Sequence, residues 1–259
     1  MTQYLFTDSD LAAERLFLLA RVFAPAMASF IDSLDLPVPE HLLDLGCGPG
    51  QTTRQLAELT GAQQVVGLDN SPGFLALANR DRPPQITFHQ HDLTVLPFPT
   101  DSADLIYARF LLTHLPEPRH LIERWASQLL PGGLVLVEEV EWIESDIDTF
   151  RTYLDIVAAM LGSQSTELYL GPVLGAWQPS NTLRCHFSRV ERLPVAVQEA
   201  AAMFYMNIQS WKHNAFIKAT YPSADIEALE AELAHLTKIE QPTGRIEWGL
   251  RQIAFKTSF

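Results

Sequence analysis

The sequence predicts an α/β protein with a doubly wound, mostly parallel sheet and helices on both faces. Short apolar segments alternate with helical segments over residues 41–140, and this alternation is typical of parallel sheets. The first apolar segment runs directly into a glycine-rich turn and a helix. Apolar residues make up 47% of the 259 residues, enough to bury a sizeable core. We therefore expect one domain over residues 1–259.

The N-terminal segment is predicted to be helical over residues 9–35. Ser9 can cap the helix, and apolar residues follow at helical spacing. Pro25 is expected to break or restart the helix, because proline lacks a backbone donor and clashes with the preceding turn. Residues 1–35 are therefore predicted to form an N-terminal helical cap.

Residues 36–142 are predicted to form the core of the sheet. Gly61 is placed to end the first helix of this segment, and Ser71 followed by Pro72 is typical of a helix start. The predicted strands span residues 41–45, 64–68, 86–90, 103–108 and 134–140, and the predicted helices span residues 51–59, 72–80 and 117–130, with a turn at 131–133.

The remainder, residues 143–259, is predicted to add helices and the last two strands at one end of the sheet. Helices are expected over 145–162, 198–214 and 223–238, strands over 187–197 and 245–256, and irregular structure over the glycine- and proline-containing segment 163–182.

Composition limits the partners. The net charge of −13 argues against nucleic acid as the main partner and against an anionic membrane surface. Acidic residues interrupt the first apolar segment, and no apolar stretch is long enough to cross a bilayer, so neither a signal peptide nor a membrane span is expected. Cys47 and Cys185 form no CxxC pattern, which favours a reducing, cytoplasmic setting and predicts no metal site.

The glycine-rich turn is the main candidate site. Asp44 ends the first predicted strand, and Gly46, Gly48 and Gly50 follow at alternate positions before a helix. Dinucleotide sites use Gly-x-Gly-x-x-Gly, so the third glycine comes one residue early here. The acid before the turn suits an amine-bearing ligand better than a pyrophosphate. A tight turn without a ligand also needs glycine, so the turn alone leaves both interpretations open.

Two more acids follow the next two predicted strands. Asp69 ends the second strand and can accept both hydroxyls of a ribose. Its alternative role is to cap the next helix, but Ser71 already suits that role. Asp92 follows the third strand and can bind an adenine amine, with Leu93 over the ring, or it can simply form an Asx-turn.

These motifs together resemble class I S-adenosylmethionine-dependent methyltransferases over residues 40–141, and more loosely their small-molecule and uncharacterised bacterial branch. The motifs are Asp-x-Gly-x-Gly-x-Gly at 44–50, Gly-Leu-Asp-x-Ser at 67–71, His-Asp-Leu at 91–93, Ala-Asp-Leu-Ile-Tyr-Ala-Arg at 103–109 and Leu-Leu-Pro-Gly-Gly-Leu-Val-Leu-Val-Glu at 129–138. The resemblance implies a Rossmann-like, seven-stranded sheet whose antiparallel last strand fits residues 245–256. It also implies methyltransferase activity, with S-adenosyl-L-methionine as cofactor and S-adenosyl-L-homocysteine as product.

The resemblance also implies the residues that bind this cofactor. Asp44 lies near its amine in a turn with Gly46, Cys47 and Gly48, and Cys47 is expected to fill space rather than act as a nucleophile. The remaining positions are Asp69 at the ribose with Asn70 beside it, Asp92 and Leu93 at the adenine, Ala108 and Arg109 at the methionine end, and Tyr4 and Arg15 on the N-terminal helices.

The acceptor side rests on weaker patterns. His114 follows the fourth strand and is a candidate general base, or else a packed histidine at a helix start. Glu139, Glu141 and Trp142 end the fifth strand and are candidate substrate contacts, or else a solvated strand end. Their carboxylates, with Glu138, would favour a cationic acceptor.

A small-molecule acceptor is the preferred interpretation, in a protein that is a monomer or a homodimer. A protein or RNA methyltransferase is the alternative, and the acidic charge counts against RNA. A second alternative is a non-catalytic protein that only binds the cofactor. A nicotinamide dehydrogenase is disfavoured by the glycine spacing. Trp177, Phe204, Tyr205 and Trp211 line an apolar acceptor pocket or belong to the core.

Overall fold

The computed structural model describes residues 10–164, 166–179 and 182–258. Its strands are β1 (His41–Leu45), β2 (Gln64–Asp69), β3 (Ile86–Gln90), β4 (Ala103–Arg109), β5 (Leu129–Ser145), β6 (Leu183–Val195) and β7 (Ile246–Thr257). They form one seven-stranded sheet in the order β3-β2-β1-β4-β5-β7-β6. Only β7 runs antiparallel to its neighbours, and the other pairs are parallel. The predicted fold class, including the antiparallel last strand, is confirmed.

The helices surround this sheet. They are α1 (Asp10–Asp32), α2 (Gln51–Thr60), α3 (Pro72–Ala78), α4 (Pro118–Trp125), α5 (Asp148–Gly162), α6 (Gly171–Gly175), α7 (Val197–Trp211), α8 (Ala215–Thr220) and α9 (Ser223–Leu236), with short 3₁₀ helices at Leu112–His114 and Ala126–Gln128. Two predicted helix ends are confirmed. Gly61 ends α2 in the left-handed conformation, and the Ser71 hydroxyl caps the start of α3 by accepting a hydrogen bond from the Phe74 N–H at 3.0 Å.

Three apolar clusters fix the layers. On one face of the sheet, Met27 and Phe30 of α1 pack with Leu56 of α2. On the opposite face, Trp125 of α4 packs against strand residues such as Ile106. The residues before and after Ile106 in sequence belong to the first cluster, because successive side chains of a strand point to opposite faces of the sheet. The third cluster joins α1 to α5, α7 and α9 beyond the sheet's β5–β7 side. The C-terminal helices therefore share a core with α1.

Several predicted boundaries are wrong. Pro25 lies inside one continuous helix, because α1 is held on two sides by packing that outweighs the lost backbone bond. Residues 131–133 are part of β5 and not a turn; the pairing with β4 shifts register there, and the Gly132 N–H bonds the Thr257 hydroxyl at 2.9 Å. The segment expected to be irregular contains α6. Finally, α4 ends at Trp125, because residues 126–128 form a 3₁₀ turn and residues 129–130 already belong to β5.

A buried polar chain links α1 to the middle of the sheet. The Tyr107 hydroxyl donates to Glu138, and Gln252 donates to the same carboxylate at 3.0 Å. Gln252 also donates to the Ala26 carbonyl of α1 at 2.9 Å and accepts from Arg189 Nε at 2.7 Å. Tyr107, Glu138 and Gln252 are fully buried, and each makes hydrogen bonds within the chain, as burial of polar groups requires.

Among the described residues, no helix is both long enough and apolar enough to cross a membrane.

Candidate functional site

The glycine-rich turn lies between β1 and α2 at the carboxyl edge of the sheet. The N–H groups of Gly46 and Cys47 both bond the Leu68 carbonyl of β2, at 2.8 and 3.1 Å. Gly46, Gly48 and Gly50 all have positive φ, and a Cβ on Gly46 would lie 2.8 Å from Leu111. The turn therefore needs glycine both for its conformation and for close approach.

Asp44 is a buried acid at the base of this turn. The residue is only 2% exposed, and its Oδ2 accepts a hydrogen bond from the Thr53 hydroxyl of α2 at 2.6 Å. Desolvation raises the pKa of Asp44 to about 7, although the Thr53 bond and the Arg109 charge act in the opposite direction. A buried carboxylate of this kind is poised to gain from a cationic ligand group.

Asp69 comes to the same turn from β2. Its Oδ2 accepts the Gly48 N–H at 2.8 Å, and its Oδ1 accepts the Ser71 N–H at 2.8 Å. Ser71 itself caps α3, as predicted, so Asp69 is not the helix cap. The Asp69 carboxylate is therefore fixed against the backbone of the glycine-rich turn that follows β1.

The residues after β3 occupy the next position along the edge. Asp92 forms the Asx-type arrangement, with Oδ1 accepting the Thr94 N–H at 2.9 Å and hydroxyl at 2.7 Å, and these bonds lower the pKa of Asp92. Leu93 is buried in the core, and its carbonyl accepts the Trp125 indole N–H at 2.9 Å. That burial leaves the Leu93 side chain little surface with which to cover a ring. Asn70 is exposed beside Asp69.

The residues after β4 close the other side of the turn. Ala108 is fully buried and pairs with Leu45 of β1. Arg109 is half-buried and donates to the Thr52 hydroxyl at 2.8 Å. Cys47 is buried, and burial raises the pKa of its thiol well above the usual value, so a nucleophilic thiolate is disfavoured, as predicted from sequence.

Helix α1 covers this edge of the sheet. A Cβ on Gly48 would lie 3.2 Å from Leu16, and Ala12 and Ala13 pack with Phe74 of α3. Arg15 is buried on the same turn of α1, and its charge acts on His114 and on Tyr153 of α5. Tyr4, the other predicted N-terminal contact, lies outside the described residues.

His114 lies in the 3₁₀ helix after β4. Desolvation, reinforced by the Arg15 charge, lowers its pKa to about 4. The imidazole is therefore neutral at physiological pH and is a weak base.

The carboxylates at the end of β5 are held by other protein groups. Glu139 is buried and accepts the Leu112 N–H at 2.8 Å, and desolvation raises its pKa to about 8. Glu141 forms a paired contact with Arg251, with bonds of 2.6 and 2.8 Å. Trp142 lies under the Arg192 guanidinium, 5.2 Å from its ring centroid. The expectation of a cationic acceptor loses its basis, because these acids are neutralised or engaged inside the chain.

The predicted aromatic residues separate into two places. Trp177 packs on Phe255, with ring centroids 5.2 Å apart. Phe204 stacks on Tyr153 at 4.1 Å, and Trp211 lies 5.9 Å from the same ring. Tyr153 was not predicted from the sequence, because its helix showed no motif.

The described residues contain no group of His, Cys, Asp and Glu side chains that could hold a metal ion.

Comparisons with known proteins find methyltransferases among the relatives of this chain. Residues 42–133 match the model of a methyltransferase domain. A trans-aconitate 2-methyltransferase from Methylobacterium nodulans is 38% identical over 117 residues, covering 45% of each chain. Methyltransferase str2 from Strobilurus tenacellus is 27% identical, covering 56% of this chain and 51% of that one. The matched part of the chain thus spans only about half the length of these curated relatives.

Solved structures resemble the chain over most of its length. A candidate methyltransferase from Bacillus halodurans covers 90% of this chain and 98% of its own, with a TM-score of 0.56 and 16% identity. The [4+2]-cyclase SpnF covers 90% of this chain and 80% of its own, with a TM-score of 0.52 and 20% identity. At these identities the resemblance concerns the fold alone.

Proposed function

We propose that the protein is an S-adenosylmethionine-dependent methyltransferase of a small molecule, a proposal supported by the match of residues 42–133 to the model of a methyltransferase domain. One observation carries the proposal. The buried carboxylate of Asp44 lies at the base of a turn whose three glycines all have positive φ, and the Asp69 carboxylate accepts a backbone N–H of the same turn. This arrangement suits a ligand with an ammonium group at one end and a ribose at the other.

The cofactor contacts follow from this placement. Asp44 would accept the ammonium group, with Gly46, Cys47 and Gly48 against the methionine part. The backbone around Ala108 and Arg109 would flank the methionine end. The other contacts would be Asp69 with the ribose hydroxyls, Asn70 beside it, and Asp92 and the backbone of Leu93 with the adenine.

The cofactor supplies a methyl group that its sulfonium already makes electrophilic. The chain must therefore hold the acceptor in line, and orientation of this kind is worth ~7–11 kcal/mol in favourable cases. A general base is needed only when the acceptor carries its proton at neutral pH. His114 remains our candidate for that role, but its pKa of about 4 makes it a weak base.

Several relatives are named trans-aconitate 2-methyltransferase, and these names favour a small-molecule acceptor. We propose a cytoplasmic protein, as a monomer or a homodimer, with no nucleic-acid partner. A protein substrate is the second candidate. A protein that keeps the fold without methyl transfer is the third, because one structural neighbour is named for a cyclisation.

Calorimetry with S-adenosylhomocysteine tests the proposal. We expect binding to the wild type, a loss of at least about tenfold in affinity for Asp69→Asn, and no change for Asp101→Asn at an exposed position before β4. Transfer of a labelled methyl group to a metabolite extract then tests turnover. No affinity for this ligand in the wild type would refute the proposal.

A further inference from the structure

Glu139 of β5 is a buried carboxylate that has no role in the methyl transfer proposed above. The residue is 2% exposed, and desolvation raises the pKa of its side chain to about 8. Burying a carboxyl group is costly unless hydrogen bonds compensate for the lost water. The role of Glu139 therefore has to be sought in the groups that it binds inside the chain.

Glu139 binds the backbone at the start of the 3₁₀ helix that follows β4. Its Oε1 accepts the Leu112 N–H at 2.8 Å, and the N–H groups of Leu111 and Thr113 also interact with the carboxylate and act against the rise in its pKa. The first bond within this helix runs from the His114 N–H to the Leu111 carbonyl, at 2.9 Å. The N–H groups before His114 have no acceptor within the helix, and successive N–H groups of this kind suit an anion. Glu139 therefore caps the 3₁₀ helix from a neighbouring strand.

The loop that Glu139 caps leaves β4 through a residue in an unusual conformation. Phe110 has a φ of +52°, in the left-handed region that large side chains seldom adopt. Its N–H donates to the carbonyl of Glu138 at 2.9 Å. Such a conformation persists only where the surroundings fix it. Two adjacent residues of β5 therefore hold this loop, Glu138 through its carbonyl and Glu139 through its carboxylate.

Leu111 connects the same loop to the glycine-rich turn. A Cβ on Gly46 would lie 2.8 Å from Leu111 Cδ1, so the leucine side chain lies directly against the turn. Leu111 is also the residue whose carbonyl opens the 3₁₀ helix and whose N–H faces Glu139. A loop released from Glu139 would carry Leu111 away from Gly46. The packing on this side of the turn therefore depends on a carboxylate of β5.

We propose that Glu139 is a positioning residue of the cofactor site, which acts through Leu111 by holding the loop after β4 against the glycine-rich turn. The inference rests on the proposed function, because it takes this turn as the place where S-adenosylmethionine binds. Glu139 gives its acceptor capacity to backbone N–H groups, so it acts on the cofactor only indirectly. This role replaces the expectation, from sequence, that Glu139 contacts the substrate.

The test is a double-mutant cycle read by calorimetry with S-adenosylhomocysteine. We expect Glu139→Ala and Leu111→Ala each to weaken binding at least about fivefold, because each disturbs the packing of the loop on the turn. The variant that carries both substitutions should bind about as weakly as the weaker of the two single variants, because both act on one contact. A merely structural role of Glu139 would instead give losses that multiply.

Two further variants serve as matched controls. Glu139→Gln keeps one acceptor oxygen for the Leu112 N–H, so it should recover most of the affinity. Glu141 lies two residues further along β5 and pairs with Arg251, at 2.6 Å, so Glu141→Ala should bind S-adenosylhomocysteine like the wild type despite losing an ion pair. Urea unfolding of every variant ensures that binding is measured on folded protein. If Glu139→Ala does not fold, Glu139→Asp takes its place, because the shorter side chain draws the carboxylate back from the loop.

The outcomes separate the positioning role from the proposed function. Wild-type affinity in a folded Glu139→Ala or Glu139→Asp variant would overturn the positioning role. An equal loss in Glu141→Ala, or losses that multiply in the double variant, would overturn it as well, because the effect would then not pass through Leu111. If the wild type does not bind S-adenosylhomocysteine, the proposed function fails and the positioning role falls with it.

Discussion

The affinity for S-adenosylhomocysteine should rise with pH because of Asp44. Only the ionised carboxylate attracts the ligand's ammonium group, so the apparent affinity follows the ionised fraction. With a pKa of about 7, that fraction rises roughly eightfold between about pH 6 and about pH 7.5. Calorimetry across this range measures the change, and repeating it in buffers of different ionisation enthalpy measures the proton released on binding.

Two variants tie this dependence to one group. Asp44→Asn should bind more weakly and lose the pH dependence. The Thr53 hydroxyl donates to Asp44 at 2.6 Å, and this hydrogen bond lowers the pKa of Asp44. Thr53→Val removes the hydroxyl, so the rise in affinity should move to higher pH. A wild-type affinity that is flat over this range, or a slope that persists in Asp44→Asn, would refute the reasoning.

The raised pKa of Asp44 also predicts that the folded protein loses stability as the pH rises. Between pH values near 3.8 and 7 the folded chain holds the Asp44 proton and the unfolded chain releases it, so stability falls as pH rises through this window and is level above it. The rise of the Asp44 pKa from 3.8 to about 7 corresponds to a loss of folding free energy of at most on the order of 4 kcal/mol. Asp44→Asn should therefore unfold at a higher urea concentration than the wild type above pH 7. Equal urea midpoints for the variant and the wild type above pH 7 would contradict the burial and desolvation of Asp44.

Three further outcomes are expected. Gly46→Ala should lower the affinity for S-adenosylhomocysteine at least about tenfold, because φ is +70° there; a calorimetric titration that matches the wild type would count against the turn. Glu139→Ala should cost about 1–3 kcal/mol in urea unfolding by leaving the Leu112 N–H unpaired, whereas Glu139→Gln should cost less; equal losses would show that the hydrogen bond is unimportant. Trp125→Phe should speed hydrogen exchange around Leu93 by removing the 2.9 Å bond to its carbonyl, and unchanged exchange would argue against that anchor.

Much of the cofactor edge could be predicted because its signals are local. A glycine turn after an apolar strand, with an acid before it, can be recognised within a few residues, and Ser71 before Pro72 marks a helix start by chain geometry alone. The placement of Asp69 against Gly48 follows once β1 and β2 are parallel neighbours. These residues depend on pairing between adjacent strands.

The contacts of the C-terminal helices depend on packing between distant segments. Arg15 of α1 lies more than a hundred residues before Tyr153 of α5 and Trp211 of α7, so no spacing rule connects them. β7 also supplies Arg251 as the partner of Glu141 and Gln252 as one partner of Glu138, and an acid at a strand end is expected in solvent when such a partner is unknown. Pro25 was expected to interrupt a helix for the same reason, since its compensating contacts are tertiary.

The polar chain from Tyr107 to Gln252 has a consequence for how α1 docks. An apolar helix face can slide along a sheet by one turn and still bury similar surface. Here, sliding would separate the Ala26 carbonyl from Gln252 and the Ser29 hydroxyl from Arg189, which donates to it at 2.8 Å. Each alternative position would leave buried groups without hydrogen bonds, so the chain selects one axial position of α1 and thereby sets where its first turns sit above the glycine loop.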